Sequence, residues 1–159
     1  MKTFAAAFAL QFALTGFALA EGAKPVILTV TSAIDGSQTT FDRDQLQALA
    51  ARSASMETPW TEGKVTFEGP LLKAVLDAAG VHGKTLVVKA LNDYSAEVPS
   101  TDASEFSTML AMSIDGKAMS VRDKGPLFLI YPFDTHPELY NEKYFSRSVW
   151  QIREIEVKD

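Results

Sequence analysis

No cysteine occurs anywhere in the 159 residues. Such a chain can form no disulfide, so its fold must be held by burial of apolar surface alone. The same absence removes every thiolate, and with it the soft metal ligand and the thiol nucleophile. The means to do without are present: 47% of the residues are hydrophobic, and the length suits one domain able to bury a core.

The missing disulfides matter most in an oxidising compartment, and the first residues predict one. Lys2 precedes an apolar run from Phe4 to Leu19, broken only by Gln11, Thr15 and Gly16. Ala18-Leu19-Ala20 is a small-x-small cleavage site, followed by Glu21 and Gly22. That order is a secretory signal peptide, and the run is short for a membrane anchor, which needs about 20 residues. No twin arginine precedes it, which favours the general secretory route. The expectation is a periplasmic protein, cleaved after Ala20, with residues 1–20 as leader and residues 21–159 as one domain. The net charge of −5 becomes more negative without Lys2. It argues against a nucleic-acid partner, which wants a basic face.

Strand-like stretches alternate with short helical ones. Val26 to Thr31, Lys64 to Glu68, Leu86 to Leu91, Pro126 to Tyr131 and Val149 to Val157 read as strands. Asp42, with Gln45 three residues on, forms a capping box that opens a helix through Ala51. Pro70 opens a second helix, with Leu71, Leu72, Val75, Leu76 and Ala79 on one face and Gly80 as its stop. A third begins at Pro99 to Asp102 and runs to about Leu110. Asp115-Gly116 is a hairpin turn. Arg52 to Lys64 lacks periodicity and reads as a loop, Arg122 to Gly125 as a charged loop, and Pro137 to Ser146 as a brief helix or irregular segment. The expected class is α+β, a mixed sheet with short interspersed helices.

In this order the motifs resemble a known family. Phe67-Glu68-Gly69-Pro70-Leu71-Leu72, then Val75-Leu76 and Ala79-Gly80-Val81, is similar to the W-x-G-v-x-L…L…a-G segment of the sulfite-oxidase-type molybdopterin-binding domain. Asp93-Tyr94-Ser95 with Pro99 resembles its D-x-Y-S…P segment. Leu110-Ala111, Asp115-Gly116-Lys117 and Gly125-Pro126 with Leu129 and Pro132 resemble its L-A…N-G…H-G-x-P…v-P run. Ser148-Val149-Trp150 with Ile152, Ile155 and Val157 resembles its terminal strand. Together these cover about Phe67 to Val157, with weaker similarity before it.

The departures shape the function that the resemblance implies. Enzymes of that family bind molybdenum through a cysteine thiolate, which this chain lacks. Val149 replaces a basic residue before the terminal Trp, and Lys124 replaces the histidine of H-G-x-P. A protein exported unfolded cannot carry a cofactor inserted in the cytoplasm. The short length, the Thr-Pro-Trp-Thr loop and the missing cysteine are similar to a subgroup of periplasmic proteins that bind free pterins. Members of it report to a membrane-bound cyclic-di-GMP enzyme. The implied protein is a monomeric, non-catalytic sensor needing no cofactor. Its ligand is a reduced pterin, and its partner an inner-membrane protein with a periplasmic sensory domain. Two alternatives are a molybdopterin-dependent oxidoreductase subunit and an adaptor that uses the fold only as a partner surface.

A pterin wants an aromatic face for its bicyclic ring and fixed polar groups for its amino-oxo edge. Trp60, beside Thr61 in a polar loop, is the stacking candidate, though a loop Trp can equally fold onto the core. Asn92, Asp93 and Tyr94 could read the polar edge, or satisfy turn backbone as Asn and Asp often do. Arg122 and Arg147 fall where the resembling family holds an anionic tail, and an Arg fork suits phosphate. They could equally meet a hydroxylated side chain or a partner. Ser148 and Trp150 complete the candidates. Trp150, sharing a strand face with Ile152, suits the core better than a ligand. His82 and His136 have no partners at metal spacing, and no nucleophile-elbow motif is present.

Overall fold

A computed structural model describes residues 22–159; the leader expected at residues 1–20 lies outside the described residues. Apolar alternation sets the first strand. In β1 (Val26–Ser32), Leu28, Val30 and Ser32 turn inward and their neighbours outward. β2 (Gln38–Asp42) returns antiparallel to it. The capping box forms as the sequence predicts: Asp42 accepts from the Gln45 N–H, and the Gln45 side chain accepts from the Asp42 N–H. The helix it opens, α1 (Arg43–Gln47), is shorter than expected.

The expected loop from Arg52 to Lys64 is in fact mostly strand. β3 (Ala51–Glu57) pairs antiparallel with β4 (Lys64–Pro70) along its whole length. Only Ala54 and Met56 of β3 are buried. Ser and Ala fill four of its seven positions and print no clear alternation on the sequence. α2 (Leu72–Ala79) buries Leu72, Val75 and Leu76 and ends on Gly80 at φ 67°, the left-handed cap that glycine adopts freely. β5 (Thr85–Ala90) and β6 (Ser95–Pro99) form a hairpin.

The third helix also stops early. α3 (Thr101–Glu105) gives way to β7 (Met109–Ala111), whose residues are all buried. β8 (Ser113–Ile114) and β9 (Lys117–Ala118) flank Asp115 at φ 49° and Gly116 at φ 75°. Two successive positive φ angles are what a two-residue hairpin of this kind demands. A 3-10 turn at Val121–Asp123 occupies the expected charged loop. β10 (Phe128–Ile130) pairs with β7. A 3-10 turn at Pro137–Leu139 and α4 (Glu142–Arg147) follow. The last strand, β11 (Ile152–Lys158), begins three residues later than expected, because Gln151 at φ 55° breaks the extended run. Trp150 therefore precedes the strand and holds only an isolated bridge to Phe128.

The main sheet runs β2-β1-β11-β5-β6, with β1 and β11 parallel and the other pairs antiparallel. Smaller sheets, β3-β4-β8-β9 and β10-β7, share one hydrophobic core with it. The architecture is α+β with a mixed sheet and short helices. Among the described residues no helix is long and apolar enough to cross a bilayer.

Gly69 locks two of these sheets together. A Cβ added there would lie 2.0 Å from the Leu110 carbonyl oxygen and 2.8 Å from the Ala111 Cα. Backbone cannot give way as a side chain can. Gly69→Ala is expected to cost about 1–3 kcal/mol as overpacking does, read as a lower denaturant midpoint at unchanged slope. Wild-type stability in this variant would mean that β4 and β7 are not held at this spacing.

Candidate functional site

Trp60 stands in the turn between β3 and β4, and local chemistry fixes it there. The Thr58 and Thr61 hydroxyls bond to each other at 2.8 Å, and Thr58 Oγ1 also accepts the Trp60 N–H at 3.3 Å. Thr61 thus braces the turn. The Trp60 indole meets Phe128, Phe145 and Trp150 edge to face, with centroids 5.4, 5.7 and 6.1 Å apart. The ring rests on the core, as one of the two alternatives expected, and also lines a cavity.

That cavity has a volume of about 380 Å³. Trp60, Trp150 and Phe145 form its aromatic walls, and Asn92, Tyr94, Ser148, Glu142 and Ser146 contribute polar atoms. It matches the size of a small-ligand site lined by aromatic groups with a few polar ones. A wider, more open groove of about 510 Å³ crosses the outer face of β1 and β11 but carries no aromatic wall.

Of the nine candidate residues, Trp60, Asn92, Tyr94, Ser148 and Trp150 come together around the cavity. Asn92 Oδ1 accepts the Tyr94 N–H at 3.2 Å, an Asx turn across Asp93 at φ 65°. Asp93 itself is exposed and pairs with Arg153 at 3.1 Å. The Tyr94 hydroxyl donates to the Ser146 carbonyl at 3.0 Å, tying the β5–β6 turn to α4. Ser148 is buried and donates to the Tyr144 carbonyl at 2.8 Å. Arg122 lies exposed in its 3-10 turn and is not among the lining residues.

Arg147 is committed elsewhere. Its guanidinium donates to Asp102 Oδ2 at 2.9 Å, and the Tyr131 hydroxyl donates to the same oxygen at 2.7 Å. Asp102 is 5% exposed and Tyr131 fully buried. Burial, reinforced by the bond to Asp102, holds the Tyr131 phenol well above its ordinary value. The group therefore stays a neutral donor at any physiological pH.

The residues that the sequence did not single out are Glu142, Phe145 and Ser146, all on α4. Asn141 caps that helix by accepting the Lys143 N–H at 3.0 Å. Asn before a mixed polar-aromatic run was the available signal, but nothing in the run said that it faces Trp60.

The donor set does not fit a protein-ligated molybdenum centre. The sequence offers no thiolate, and among the described residues no cluster of three His, Asp or Glu could hold a metal. Among the described residues no Arg or Lys lines the cavity to meet a phosphate. Lys124, in the position of the resembling histidine, sits 5.8 Å over the Trp150 ring.

Comparison with known proteins finds a family and similar solved structures. The family described as "Oxidoreductase molybdopterin binding domain" matches residues 25–159. The structure is similar to the sulfane dehydrogenase SoxCD from Paracoccus pantotrophus, with a TM-score of 0.61 and 19% sequence identity. The match covers 83% of this chain and 38% of that one, so the likeness is one of fold and spans less than half of the larger protein. No curated protein sequence matches.

Proposed function

Since the chain belongs to the oxidoreductase molybdopterin-binding domain family, we propose that it keeps the family's pterin site and has given up the metal. On this reading it binds a free reduced pterin in the cavity against the Trp60 ring. It acts in the periplasm as a non-catalytic sensor for an inner-membrane protein that controls cyclic-di-GMP. The observation that carries the reading is the aromatic-walled cavity, free of cations, in a chain without a thiolate. Such a cavity suits an uncharged flat ring better than an anionic cofactor.

Trp60 is the test. Ring-on-aromatic stacking is worth about 1–3 kcal/mol, so Trp60→Ala is expected to weaken pterin binding roughly tenfold to a hundredfold. Trp60→Phe should keep part of it. The three edge-to-face contacts of Trp60 also imply a loss of stability in the Ala variant, of about 0.5–1.5 kcal/mol for each aromatic pair removed. Trp60 and Trp150 are the only tryptophans, so in Trp150→Phe the remaining emission reports Trp60 alone, and pterin should quench it. Unaltered emission and unaltered affinity would place the ligand elsewhere. For the signalling step, deletion of the gene should change cyclic-di-GMP output as pterin supply varies. An unchanged output would leave a binding protein without that role.

The family's own description favours a second reading, an oxidoreductase subunit carrying molybdopterin. Metal analysis of protein purified from the periplasm separates the two: stoichiometric molybdenum would replace the sensor reading.

A further inference from the structure

The polar atoms around the cavity are unequal in what they can still bond. Three hydroxyl protons are already spent: Tyr94 donates to the Ser146 carbonyl, Ser146 to the Lys143 carbonyl, and Ser148 to the Tyr144 carbonyl. These oxygens offer lone pairs only. Asn92 has its oxygen occupied by the Tyr94 N–H, which leaves its NH2 as a donor. Glu142 is the one carboxylate in the lining, and among the described residues it makes no ion pair and no side-chain hydrogen bond. Of the surrounding cations, Arg147 is bonded to Asp102 and Arg153 to Asp93, Lys143 lies over the Tyr144 ring, and Lys124 lies over the Trp150 ring without being in the lining.

The Asn92 amide and the Trp60 and Trp150 indole N–H groups are donors of the lining, its hydroxyl oxygens are acceptors, and among the described residues Glu142 is its one charged side chain. The site suits a flat ring with hydrogen-bond donors on one edge, and it disfavours an anion. We infer that Glu142 reads that edge: its carboxylate accepts two parallel N–H bonds, from a ring N–H and an adjacent exocyclic amino group. A 2-amino-4-oxopyrimidine presents that pair of donors. Replacing the amino group by oxygen presents a lone pair to the carboxylate instead. Glu142 is thus the specificity residue, selecting a pterin over the 2-oxo ring of a lumazine. The inference rests on the pterin reading above and adds to it the residue that discriminates.

The geometry makes the substitution clean. Glu142 is exposed and unbonded in the free protein, so Glu142→Gln should leave the melting temperature unchanged. The probes are 7,8-dihydropterin and 7,8-dihydrolumazine, handled without oxygen and measured by calorimetry and tryptophan quenching. Hydrogen bonds to a charged group are worth about 1.5–3 kcal/mol, and a site built to bond a substrate N–H rejects the analogue lacking it. The wild-type protein is expected to prefer the dihydropterin by about tenfold or more. Glu142→Gln should weaken the dihydropterin by about tenfold to a hundredfold without weakening the dihydrolumazine, because an amide can donate to the 2-oxo group. If wild type binds the dihydropterin and Glu142→Gln binds it equally well, or if the variant loses both rings in parallel, Glu142 does not read the edge and the pterin site stands without it. If wild type binds neither ring, the functional reading falls and this inference falls with it.

Discussion

Asp102→Ala is expected to destabilise the protein by about 3–5 kcal/mol, the usual cost of breaking a buried ion pair by removing one partner. One carboxylate oxygen holds both the Arg147 guanidinium and the Tyr131 hydroxyl. Neither donor finds water easily, because Tyr131 is fully buried and the Arg147 side chain is only 19% exposed. For a domain of this size the loss corresponds to a fall of roughly 10–20 °C in melting temperature. Asp102→Asn should recover part of it, since the amide oxygen still accepts. A melting temperature within about 2 °C of wild type would show that the carboxylate is not holding α3, β10 and α4 together.

The same group gives the pH dependence its sign. The Tyr131 phenol is raised in the folded protein, by burial first and by Asp102 second. Its contribution is complete below the free phenol value of about 10. Above that pH the unfolded chain loses the proton first, so stability falls progressively with further alkali. Tyr131→Phe should flatten that alkaline fall.

Phe128→Ala should cost a similar amount, about 3–5 kcal/mol, as removal of a buried Phe does. Phe128 has no exposed surface, and its ring meets Trp60, Phe67 and Trp150 edge to face at 5.4, 6.1 and 6.0 Å. It supports both cavity tryptophans from below. The variant should show red-shifted emission from both indoles, weakened near-ultraviolet dichroism and poor pterin affinity together. Phe128→Leu should restore most of the stability, since most of the volume is refilled. Retention of tight binding in a destabilised Phe128→Ala would show that the walls stand without their support.

What the sequence made legible was local chemistry. Asp42 with Gln45, Asp115-Gly116 and Gly80 each act within a few residues, and each does what its side chain or missing side chain dictates. β3 was hidden because Ser and Ala print no periodicity, and its strand character comes from pairing with β4. Met109 to Ala111 leave the helical reading because they complete a ladder with β10. The site was legible as a group of aromatic and Asn–Tyr candidates. The role of Arg147 was not, since its partner Asp102 lies 45 residues away and only the fold brings them together. The place of α4 in the site was missed for the same reason: Glu142 and Phe145 have no local mark that distinguishes them from surface residues.

The direction of β11 bears on how the protein can be handled on a surface. β11 leaves the cavity edge, where Ile152 faces Ala90, and runs along β5 until Lys158 faces Thr85. Five residue steps of β5, from Ala90 to Thr85, separate those ends, about 17 Å at roughly 3.3 Å each. Asp159 therefore emerges beside Lys84 at the opposite rim from Trp150 and Tyr94. β1 runs parallel to β11, so Val26 lies at the cavity end. Anchoring the molecule to a chip or electrode through Asp159 would leave the cavity mouth facing the solution, whereas a bulky fusion ahead of Val26 would crowd it.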